Sequence, residues 1–160
     1  SKTVWSHTPT TMSSALGNSV SRVVETGTDG LGRWSYIKMS GKDNKVITFI
    51  TVYQVCKKKP AAVDRDSCTA YLQQQSLLIQ QNKKDPSPIK HFQMDLERFL
   101  TACTTKREHM VLFGDFNEVL GSDSAGIAKL ARKFNLLDVM HQKHALPDQA
   151  PYARGHTRIA

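Results

Sequence analysis

Gly114-Asp115-Phe116-Asn117 closes a short apolar run, His109-Met-Val-Leu-Phe113, and is the stretch of this chain best equipped for chemistry. A run of this kind reads as a buried strand, which puts the four residues on the rim of a sheet. Asp115 and Asn117 are two apart, and in an extended chain such side chains point the same way. One carboxylate and one carboxamide on a common side can hold a divalent cation or a water, and can hydrogen-bond a phosphate. Those are the parts of metal-assisted phosphodiester hydrolysis. The tetrapeptide also suits a plainer task, a strand running into an Asx turn with Asp and Asn as turn formers. On its own it does not choose between the two.

Other residues with chemical capacity are less well placed. Cys56, Cys68 and Cys103 are an odd number of cysteines without metal-site spacing. They read as free thiols in a reducing, intracellular compartment; a Cys56–Cys68 bridge has no sequence support. His141 and His144 are three apart and could meet on a helix face, but two surface histidines near a helix end is the simpler reading. Glu25, in Val24-Glu-Thr-Gly27, lies in a loop-like context. Among 160 residues the net charge is +8, which favours polyanionic partners, because lysine and arginine displace counterions condensed on a phosphate backbone. The basic residues cluster locally, at Lys57-Lys58-Lys59, Lys83-Lys84, Lys106-Arg107 and the group Lys129, Arg132, Lys133; the last reads as the wet face of a helix. No apolar run approaches a membrane span. The N-terminus has neither an initiator Met nor the apolar core of a signal peptide, so the chain reads as a fragment or processed piece.

The elements that must carry these residues follow from periodicity. Residues 1–30, rich in Ser, Thr and Gly, predict loops with one short strand near 19–24. Arg33–Met39 reads as a strand, Ser40–Asn44 as a turn, and Lys45–Tyr53 as an antiparallel partner whose continuous β-branched and aromatic content predicts burial on both faces. Lys57–Asp66 reads as a basic loop. A helix is predicted over 67–82 with Tyr71, Leu72, Gln75, Leu78 and Ile79 on its inner side. A second helix starts at Asp85-Pro-Ser-Pro88, with Ile89, Phe92, Leu96, Phe99, Leu100 and Cys103 on its core face. The strand at 109–113 comes next. A helix over 124–134 follows, with Ile127, Leu130, Ala131 and Phe134 on one side. A short helix or turn is expected at 135–141, and an irregular tail over 142–160. Long helices between strands argue for an α/β layered fold, read as one partial domain over 1–160.

Two strand ends carry a resemblance. Thr51-Val-Tyr53-Gln54-Val55 closes one strand and Gly114-Asp115-Phe116-Asn117 closes another after two helices. Together they resemble the endonuclease/exonuclease/phosphatase superfamily, with its N-Y-x-P-like strand end and its G-D-[FL]-N motif. Gly32-Arg33-Trp34 looks like the family's lead-in to its strand pair, and Tyr152–Ile159 like the approach to its R-I-D strand. The resemblance spans roughly residues 30–160, is specific in the middle and thin at the ends, and is nearer the retrotransposon endonuclease branch than the phosphatase branch. It implies a layered β-sandwich flanked by helices, part of a four-layer α/β/β/α arrangement. It implies Mg²⁺-dependent (or Mn²⁺-dependent) phosphodiester hydrolysis on nucleic acid, DNA rather than RNA, at an intracellular and, in a eukaryote, nuclear location. Asp115 would orient or deprotonate the attacking water, Asn117 would hydrogen-bond the scissile phosphate or the nucleophile, and both would serve the metal. Tyr53 would set its phenol near a phosphate oxygen or a metal ligand.

Several of the family's parts have no counterpart here. An early Asn and a metal-binding Glu, a Ser-Asp-His strand and the Asp of R-I-D are not found. His156 falls before the R-I-D position and does not match the catalytic histidine. The chain therefore reads as the middle of a larger enzyme or a shortened relative. The alternatives to a nuclease are a catalytically dead relative that binds nucleic acid or protein, and a phosphomonoesterase of the same superfamily.

Overall fold

The computed structural model describes residues 2–56, 69–118, 126–144, 152–154 and 157–159. The expected basic loop at 57–66, Cys68 and His156 lie outside the described residues. The chain divides into two compact units, Ser1–Phe116 and Asn117–Ala160.

The first unit begins with a β-hairpin, β1 (Thr3–His7) paired antiparallel with β2 (Met12–Leu16). A 3-10 turn over Gly17–Arg22 leads into β3 (Val23–Thr28). The expectation of loops with one short strand near 19–24 is thus corrected to three strands, the third of them starting only at Val23. The hairpin escapes a pattern search because its alternation is reversed. Ser6, Ser13 and Ala15 are buried, while Trp5, Met12 and Leu16 are exposed.

β3, β4 (Trp34–Ser40) and β5 (Val46–Tyr53) form an antiparallel run, and β6 (His109–Asp115) joins β5 in parallel, giving the order β3-β4-β5-β6. The β4–β5 turn places Asp43 and Asn44 both at φ 56°, and Lys45 N–H donates to the Lys42 carbonyl at 3.2 Å. Short polar residues tolerate that left-handed conformation best. Two helices, α1 (Ala70–Gln80) and α2 (Pro88–Thr105), link β5 to β6. A parallel pair needs such a long crossover.

α2 starts where the sequence places it. The Ser87 hydroxyl accepts from Lys90 N–H, and Pro88 occupies the first turn, where its missing N–H costs nothing. Phe92, Leu96, Leu100 and Cys103 recur at helical spacing and are buried against the sheet, where the Phe92 ring meets Trp34 edge-on at 6.1 Å. Each such leucine contributes about 1.5–3 kcal/mol by leaving water. α1 differs from expectation. Its inner positions are Gln74 and Leu78, and Leu72 and Ile79 face outward.

Thr48, Ile50 and Val52 of β5 are buried on the helix side, whereas Ile47, Phe49, Thr51 and Tyr53 are half-buried. Burial on both faces is corrected to burial on one. The reason is the hairpin, which covers the other face only in part. The Ser6 hydroxyl donates to the Gly27 carbonyl at 2.6 Å, and Ser13 Oγ lies 2.9 Å from Thr51 Oγ1. Past the hairpin, Val111 and Phe113 of β6 stay 43% and 44% exposed. The first unit is an α/β fold with helices on one face of its sheet and a two-stranded layer on the other.

The second unit holds α3 (Gly126–Lys133) and α4 (Val139–His144). Ile127, Ala128 and Leu130 are its buried side chains on α3, and Glu118 Oε2 accepts the Ile127 N–H at 2.7 Å, satisfying a helix-start donor. His141 and His144 lie on α4. β7 (Tyr152–Arg154) and β8 (Thr157–Ile159) pair antiparallel where an irregular tail was expected.

Candidate functional site

Parallel pairing brings the C-terminal ends of β5 and β6 out together, and their last register pair is Tyr53 with Asp115. Two backbone hydrogen bonds fix this end. Tyr53 N–H donates to the Arg33 carbonyl and Gln54 N–H to the Asp115 carbonyl, each at 2.8 Å. Asp115 is exposed and Tyr53 half-buried. Burial pushes the Tyr53 phenol pKa up, with the Cys56 thiol and the Asp115 carboxylate adding to it. The phenol therefore keeps its proton through neutral pH and acts as a hydrogen-bond donor.

Gly114 sets this geometry. It pairs with Val52 at φ 136°, and a Cβ built on it would fall onto the Val52 carbonyl. Only glycine lets the two strands approach here.

Asn117 departs from the sequence reading. The strand ends at Asp115, and Asn117, the first residue of the second unit, sits at φ 48°. The alternation that aligned Asn117 with Asp115 requires an extended chain, and the left-handed turn ends it.

Glu25 is in a strand, not a loop. It pairs with Lys38 in register, accepts from the Tyr36 hydroxyl at 2.8 Å and lies 3.2 Å from Lys38 Nζ. The ladder runs from Lys38 through Thr48 to Met110, five residues short of Asp115. That is on the order of 16 Å away along the strand, so Glu25 is not part of this strand end.

Among the described residues no group of three or more His, Cys, Asp or Glu is arranged to hold a metal ion. The exposed Asp115 carboxylate still fits Mg²⁺, which keeps most of its waters and takes one or two carboxylates together with substrate phosphate.

Two features of this end were not read from the sequence. The hydroxyls of Ser13, Ser35 and Thr51 gather between hairpin and sheet, with Ser13 Oγ 3.1 Å from Ser35 Oγ. Nothing in a Ser-rich stretch marks which serine turns inward.

The second is a buried ion cluster. Arg33, 2% exposed, donates through Nε and Nη2 to both oxygens of Asp29 at 2.6 and 2.9 Å, and through Nη2 to Asp95 Oδ2 at 2.8 Å. Burial would lower its pKa, but the two carboxylates outweigh this and hold it above the ordinary arginine value. Asp95 lies on α2, 62 residues away in sequence, beyond any spacing rule.

No helix among the described residues is long and apolar enough to cross a membrane. No protein-family model, no curated protein and no solved structure matches this chain.

Proposed function

We propose that the chain is a nuclease-type, Mg²⁺-dependent phosphodiesterase acting on DNA, with the ends of β5 and β6 as its reaction site. The observation that carries this reading is the register pairing of Tyr53 with Asp115 at one strand end. An exposed carboxylate beside a protonated phenol offers a base for water and a donor for a phosphate oxygen. In this reading Asp115 orients or deprotonates the water and the Tyr53 hydroxyl binds a non-bridging oxygen. Bound Mg²⁺, held through Asp115, would neutralise charge developing on the phosphoryl oxygens. The net charge of +8 supports a polyanionic substrate.

The test is nicking of supercoiled plasmid with Mg²⁺ by the chain and by Asp115→Ala. Removing a general base costs about 100-fold or more, so the variant should be nearly silent. Equal nicking by both proteins would end the reading. Salt-sensitive DNA binding without turnover in either would replace it with the binding relative. Release of phosphate from an inositol phosphate with no nicking would replace it with the phosphomonoesterase.

A further inference from the structure

Arg33 is the most deeply buried charged side chain near the strand ends, and its backbone touches the site its side chain does not. Its carbonyl accepts the Tyr53 N–H at 2.8 Å, and the next N–H, of Gln54, donates to the Asp115 carbonyl at 2.8 Å. These two bonds join residue 33 to Tyr53 and then to Asp115 through consecutive peptide units.

The side chain in turn is held through two of its guanidinium nitrogens. Asp29 grips its guanidinium with both oxygens, while Asp29 Oδ2 also accepts the N–H groups of Leu31 and Arg33 at 3.1 Å each. Asp95 fastens the same guanidinium to α2. The Trp34 ring lies 5.0 Å from Arg33 Cζ. A planar, forked cation is what this arrangement uses, and lysine offers no such fork.

We propose that Arg33, clamped between Asp29 and Asp95, is a positioning residue for the Tyr53–Asp115 pair. The clamp ties the 29–33 turn to α2, and the Arg33 carbonyl passes that fixed position to the end of β5. The role in catalysis rests on the nuclease reading above; the role in holding the strand ends does not.

The experiment therefore has two readouts on the full chain, for Arg33→Lys and for Asp95→Asn. Asp95 is partly exposed, so its variant is the milder change and is expected to fold if the lysine variant does not. Amide hydrogen exchange measured by NMR should quicken about tenfold or more at Tyr53 and Gln54, with little change at β3 and α3 amides. In Mg²⁺-dependent nicking, kcat should fall about tenfold in Asp95→Asn while KM stays put, because misplacement of reacting groups acts on the chemical step.

Exchange at Tyr53 and Gln54 that is unchanged, or that rises uniformly across the sheet, overturns the proposal. So does a rise in KM at constant kcat. If the parent chain does not nick DNA, the nuclease reading fails while the exchange pattern still decides whether Arg33 holds the strand ends.

Discussion

Gly114 faces a demand that no other residue type can meet. A methyl group there meets the Val52 backbone, and the residue's φ of 136° is outside the range of side-chain-bearing residues. Gly114→Ala should destabilise the chain by at least about 2 kcal/mol in a urea melt, and should abolish nicking although Asp115 remains. A variant with parental stability and parental nicking would show that the two strands need not approach so closely. In the sequence the glycine belongs to a chemical motif, and the structure gives it a steric reason. The alternation that would align Asn117 with Asp115 stops where the strand ends, two residues before Asn117. Tyr53 and Asp115 were legible as a pair only through the resemblance. Their separation by two helices leaves no local signal.

α2 and the strands it covers were legible because their apolar positions repeat over many residues. Phe92, Leu96, Leu100 and Cys103 mark one helix face without ambiguity. α1 misled because Gln74 takes an inner position that composition assigns to a leucine. The polar cluster under α2 was hidden for the same reason. Glu108 accepts from Thr48 Oγ1 at 2.7 Å and from Lys38 Nζ at 3.1 Å. Burial lifts the Cys103 thiol pKa from 9.0 to about 11, with the adjacent Glu108 adding to it. A raised pKa on an acid means that the folded chain holds the proton more tightly than the unfolded chain. The associated stability is complete below pH 9 and is lost as pH rises towards 11. The melting temperature should therefore fall across that window, by the equivalent of about 2–3 kcal/mol from this thiol. Cys103→Ala should flatten the fall. Tyr36, lifted by burial and by Glu25 from 10.0 to about 12, governs the next stretch upward in the same sense. An unchanged slope in Cys103→Ala would remove the thiol from this account.

At the scale of the molecule, the charge of +8 makes a claim that does not depend on any single residue. Binding to duplex DNA, followed by fluorescence polarisation, should weaken with salt at a log–log slope of roughly −3 or steeper. A slope near zero would remove nucleic acid as the partner. The α/β class was legible from the alternation of long helices with strands. The partial covering of the sheet was not, because the hairpin conceals itself behind outward-facing Trp5, Met12 and Leu16.

That hairpin is fastened mainly by hydroxyl groups. Of its buried side chains, Ser6, Thr11, Ser13 and Ala15, only the last is apolar. Little hydrophobic burial resists its departure, so within the first unit the hairpin amides should exchange with solvent ahead of those of β4 and β5. Lifting the hairpin would wet Ile37 and Phe49 while α2 still covers the opposite face, leaving a half-dressed sheet.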